Sequence, residues 1–152
     1  MSSEFHYLAI SGIIAKDNRR GGSYPAKNVL DKNIDSIFAS EDRGGFHWIR
    51  LELLKTSKVH HIMIWNRKSY GNRLKNLEIR VGSDEIDQGK ADNGLITENT
   101  HCGLFAGPGR NGEVITIKCT KPTDGKYVTL QMKDETSILN IAEVEVHGQG
   151  NN

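Results

Sequence analysis

The chain has no excess of charge of either sign. Its 20 lysines and arginines stand against 19 acidic residues, a formal net charge of +1. That leaves no basic field of the kind that holds nucleic acid or an anionic membrane. No apolar run reaches the length of a membrane span. The opening residues, MSSEFHYLAISG, carry an early acid instead of the basic and then apolar regions of a signal peptide. Proline is scarce at 3 residues and cysteine scarcer at 2. Cys102 and Cys119 permit one disulfide or two free thiols, and spacing alone does not choose between them. With no CxxC pair and no clustered histidine partner, zinc is not indicated. The GxSxG, HExxH and P-loop motifs are absent as well, and nothing points to two carboxylates paired across a cleft, so the chain reads as non-catalytic.

What is present is glycine, 16 in 152 residues, together with many short period-two apolar patterns and no long apolar helical face. That composition suits short strands joined by turns. The length fits one domain, residues 1–152, able to bury a core without staples. Residues 7–14 read as an edge strand and 15–28 as a polar, Gly-rich loop. In FHWIRLELL, Ile49, Leu51 and Leu53 alternate with Trp48, Arg50 and Glu52, a strand with one buried face. Residues 59–65 alternate Val59, His61, Met63 and Trp65 against His60, Ile62 and Ile64, and Leu77, Ile79 and Val81 open the next strand. Residues 84–99 read as a long surface loop. Strands at 102–105 and 114–119 flank a Gly-Pro turn, and a bridge between Cys102 and Cys119 would tie these neighbours. TKPTDGK reads as a turn. Val128, Leu130 and Met132 face inward on one late strand; on the last, Ala142, Val144 and Val146 share a face opposite Glu143 and Glu145. About eight short strands with almost no helix predict an all-β, antiparallel sandwich of jelly-roll type.

Two segments carry chemistry. NRKSYGNR, between the 59–65 and 77–82 strands, holds Arg67 and Arg73 at its ends and Tyr70 at its middle. A guanidinium offers five fixed donors and no acceptor, so two at the mouth of a sheet read as a recognition site. Solvated loop charges would give the same pattern. Asn28, Asp31, Asn33 and Asp35 crowd oxygens into NVLDKNID, either as turn and cap residues or as a loop for a hard cation.

Four pieces in order, NVLDKNID, HWIRLEL, IWNRKSYGNRLKNLEIRVG and AEVEVHG, resemble the F-type lectins, or fucolectins, within the wider discoidin group of coagulation-factor membrane-binding domains. The similarity runs to Gly148. It implies a shallow site in which a histidine and two arginines bind fucose or a related, galactose-type sugar. The arginines fall on Arg67 and Arg73, and Tyr70 would supply the apolar surface. Ser69 stands where the family has an Asp, and the family's adjacent cysteine pair is missing. The 38–48 loop is shorter than in the family, and counting back to its histidine meets Ser40, leaving His47 or Arg43 as substitutes. The resemblance also implies a structural calcium ion on Asn28, Asp31, Asn33, Ser40 or Asp42, the Ala142 carbonyl and Glu143. It further implies a disulfide between Cys102 and Cys119, an extracellular setting, glycan partners and homo-oligomers for avidity. Two other readings stay open. One is a discoidin-like adhesion or phospholipid-binding module with Phe46, Tyr70 and Phe105 as apolar spikes. The other is a sandwich used only for protein contacts.

Overall fold

The computed structural model describes residues 5–16, 24–40, 45–134 and 138–150. Within them the elements run β1 (His6–Tyr7), β2 (Ile10–Ala15), β3 (Phe38–Ala39), β4 (Trp48–Trp65), β5 (Leu77–Gly82), α1 (Gln88–Asn93), β6 (Thr100–Phe105), β7 (Val114–Met132), β8 (Asn140–Ile141) and β9 (Glu143–Gly150). Short 3-10 turns occupy Ala26–Leu30 and Gly71–Arg73. Every pairing among the strands is antiparallel.

The architecture follows from two long strands that bend together. β4 and β7 pair along their lengths, with register breaks between Glu52 and Ser57 and between Val59 and His61. The first half of β4 lies with β2 and with the second half of β7, which continues through β5 to β6. The second half of β4 lies with the first half of β7 and with β9, which β1 extends. These halves form the two layers of a β-sandwich. Ile49, Leu51 and Leu53 from one layer join Ile62, Ile64, Val144 and Val146 from the other in one buried cluster. The TKPTDGK segment, predicted as a turn, is the bend within β7.

Three expectations change in detail. The alternation along 59–65 does not run unbroken: the register shift after Val59 buries Val59, Ile62 and Ile64 together and turns His60 and His61 to one side. The 84–99 segment is not bare loop. α1 lies there and covers Trp48, whose indole N–H donates to Asp92 Oδ1 at 2.8 Å, so the first half of β4 is covered on both faces. The bridge Cys102–Cys119 is formed, with Cα atoms 4.2 Å apart, but β6 and β7 do not pair with each other. It ties one layer to the other instead of two hydrogen-bonded neighbours.

Because β4 bends at its middle, its two ends emerge at the same end of the sandwich. The Met132 N–H donates to the His47 carbonyl, and the Lys133 N–H donates to the Asn76 carbonyl. The loops before β4, after β4 and after β7 therefore gather at that end.

Candidate functional site

Arg67 stands two residues beyond the end of β4 at Trp65, and its loop is held by the buried amide of Asn66 between them. Asn66 Nδ2 donates to the carbonyls of Gly71 at 3.0 Å and Arg110 at 2.8 Å, while its Oδ1 accepts from the Arg67 N–H at 2.9 Å. Asn111 Oδ1 accepts from the Gly71 N–H, and the Gly112 N–H donates to the Arg67 carbonyl. The 66–74 loop is thus fixed to the turn that precedes β7. Tyr70, at φ 56°, reverses the chain in the left-handed region, and the Gly71–Arg73 turn that follows brings Arg73 round beside Arg67.

The two guanidiniums converge. Arg67 Nη1 and Arg73 Nη1 donate to one atom, Asn140 Oδ1, at 3.2 and 3.3 Å. Both also lie over the Tyr70 ring, their Cζ atoms 5.1 and 4.4 Å from its centroid. Tyr70 is 59% exposed and Asn140 only 1%. β8 carries Asn140 and pairs with β3, where Ala39 faces it, and the Ala142 N–H donates to the Trp65 carbonyl, so β8 is anchored to the end of β4. A cleft of about 320 Å³ opens beside Arg67, with Tyr24, Ile34 and Ile37 on its apolar side and Asp35, Lys68 and Ser69 on its polar side. Lys68 is ion-paired with Asp35 there.

Arg67, Tyr70 and Arg73 thus lie together. His47 does not join them: it is 1% exposed, packed inside just before β4, and does not present its imidazole to a surface ligand. Arg43 and Asp42 lie outside the described residues. Of the three proposed membrane spikes, Tyr70 is exposed and shares its ring with the two arginines, while Phe46 and Phe105 are partly buried, Phe105 against the core. Asn140 and Asn66 were not foreseen. Asn66 lies just past β4 and Asn140 opens β8, and nothing in either local pattern marks a partner of the arginines.

The oxygen-rich turn is shaped by its own side chains. Asp31 accepts from the Asn33 N–H and from the Ser36 hydroxyl, and Asn33 Oδ1 accepts from the Asp35 N–H. Asn28 Nδ2 donates to the Ile37 carbonyl. Glu143, 6% exposed, reaches this turn from β9, its Oε1 accepting from the Lys32 N–H at 3.0 Å. Burial, with the nearby Asp31 and Glu145 charges, pushes its carboxyl up to about 7 against the pull of the Lys32 N–H. Ser40 is buried and accepts from the Leu139 N–H. Among the described residues no group of three or more His, Cys, Asp or Glu is placed to hold a metal ion, so a cation here would depend on amide and carbonyl oxygens beside Asp31 and Glu143.

Residues 28–130 match the family model described as a NedA-like, galactose-binding domain. Fucolectin-6 of Anguilla japonica is 30% identical over 150 residues, covering 92% of this chain and 74% of its own. The fucolectin from striped bass (Morone saxatilis) serum superposes with a TM-score of 0.74 at 24% identity; 96% of this chain spans half of that one. A fucose binding module of Streptococcus pneumoniae gives a TM-score of 0.67 at 18% identity, over 91% of this chain and 94% of its own. The fold is that of the galactose-binding β-sandwiches. Within that class the chain belongs to the fucolectin family, whose members are lectins and not enzymes.

Proposed function

We propose that this chain is a glycan-binding lectin domain whose site is the Arg67–Tyr70–Arg73 platform, taking a terminal fucose or galactose-type sugar. The observation that carries the reading is the convergence of both guanidiniums on Asn140 Oδ1 over the Tyr70 ring. Each arginine spends one N–H on Asn140 and keeps further donors in a fixed plane for vicinal sugar hydroxyls. The exposed Tyr70 ring offers an apolar surface to a sugar face or methyl group. A shallow site of this kind binds weakly, and homo-oligomers would raise its avidity. The relatives' names, fucolectin and fucose binding module, support the sugar class.

Asn28, Asp31, Asn33, Ser40 or Asp42, the Ala142 carbonyl and Glu143 would together offer the hard oxygens that calcium takes. Burial raises the Glu143 carboxyl first, and the Asp31 and Glu145 charges add to it; a bound cation would oppose both effects. Calcium would supply a structural tie between the 31–36 turn and β9. The Cys102–Cys119 bridge supports an oxidising, extracellular setting.

A glycan array with and without chelator tests the reading. Signal is expected on fucosylated or galactosylated glycans, reduced about tenfold or more by Arg67→Ala or Arg73→Ala, as follows from losing a charge-assisted hydrogen bond. No signal on any glycan, alongside binding to anionic liposomes, would favour the phospholipid module instead.

A further inference from the structure

The arginines among the described residues divide into two kinds. Arg50 pairs with Glu52 and Glu85, Arg80 with Glu78, and Arg110 with Glu113. Arg67 and Arg73 have no carboxylate partner among the described residues, and their shared acceptor is a neutral amide oxygen. Asn140 has no charge to offer, and its Nδ2 is buried without a hydrogen-bond partner, so it orients the two cations without neutralising them. Tyr70 adds only its ring face. Lys68 brings a third cation to the adjoining cleft, but Asp35 already matches it. Two partly buried like charges drawn to one oxygen repel each other, and an incoming anion relieves that repulsion as a neutral hydroxyl cannot.

We infer that the Arg67–Arg73 site prefers an acidic saccharide, one bearing a carboxylate or sulfate, over its neutral counterpart. The inference rests on the lectin reading of the same site and sharpens its ligand class. A planar carboxylate or a sulfate meets both guanidinium forks, while the rest of the ring lies against Tyr70 and the cleft.

Calorimetric titration of the whole chain with galacturonate, galactose 6-sulfate, galactose and fucose tests it, with inorganic sulfate as a control. At low salt the acidic sugars should bind about tenfold or more tightly than galactose, with the advantage largely lost at ~0.5 M NaCl. Ser69→Asp, at an exposed position between the arginines, should supply the missing carboxylate and shift preference toward the neutral sugars. Asn140→Asp should do the same from beneath. Fucose or galactose binding as tightly as the acidic sugars would overturn the inference and leave the lectin reading standing. Free sulfate binding as tightly as the sugar sulfate would overturn the saccharide assignment. Absence of binding to every sugar would overturn both.

Discussion

Gly71 decides how closely two loops approach. A Cβ there would meet the backbone C and O of Arg110 and the N of Asn111 at 2.7 Å, and backbone atoms have no rotamer by which to yield. Gly71→Ala is therefore expected to destabilise the fold by about 2 kcal/mol, the scale of overpacking in a tight site, and to weaken glycan binding by displacing Arg73. Denaturant unfolding and a sugar titration on the same variant check both effects. At this scale the sequence was half legible. Arg67, Tyr70 and Arg73 stood out because their residue types and spacing lie within one short loop. Asn140 did not, because its role depends on β8 crossing to β3 and on the Ala142 N–H reaching Trp65, contacts that no local pattern encodes. His47 was a candidate because it lies near in sequence to Ser40, where the resemblance calls for a histidine, and it is only 1% exposed.

Single elements show where period-two reading holds and where it breaks. Leu77, Ile79 and Val81 are buried as their alternation predicts. In β4 the register shift after Val59 puts two successive histidines together, with His60 Nδ1 and His61 Nδ1 2.8 Å apart and His61 stacked on His147 of β9, ring centroids 4.7 Å apart. Around them stand Lys118 of β7, Phe5, Tyr7 and Glu145, which accepts from or pairs with His147 at 3.0 Å. Burial, then the neighbouring His147, His60 and Lys118, hold the His61 imidazole below its ordinary 6.5. Burial, then Lys118, lower His60 too. The unfolded chain therefore takes up protons near 6.5 that the folded chain refuses until lower pH. The contribution of these groups is fully present above about 6.5 and is lost as pH falls through that value toward the folded pKa. Glu143, its carboxyl raised to about 7, takes up a proton in the folded chain over the same range and opposes this loss, so the test is a difference: from pH 7 to about 5.5 the melting temperature should fall relative to that of His61→Gln. An equal change in both proteins would contradict this account. Trp48 belongs to the same lesson. Its strand reads as one-sided, and only the fold of α1 over it shows that both faces are covered.

At the level of the whole molecule, the two layers are joined by the shared bends of β4 and β7 and by the Cys102–Cys119 bridge. Closing a loop with a sequence separation of 17 contributes about 3 kcal/mol by restricting the unfolded chain. The sandwich itself was legible because its strands alternate in almost every segment. The layer pairing was not, since it depends on where long strands bend. The turn at 31–36 and the start of β9 meet far apart in sequence, and calcium on the proposed oxygens would hold them together. Saturating calcium should then raise the unfolding free energy by about 2 to 3 kcal/mol at a hundredfold excess over its dissociation constant, and Glu143→Gln should remove most of that gain in a thermal shift assay. The central claim is that sugar sits on the arginine platform, and nuclear magnetic resonance of the arginine Nε–H and asparagine side-chain amide signals during titration with fucose and galacturonate tests it most directly. The account predicts saturable shifts at Arg67, Arg73 and Asn140. Shifts confined to residues around the separate cleft of about 260 Å³ near Tyr7 and Leu54, with the arginine signals unmoved, would contradict it.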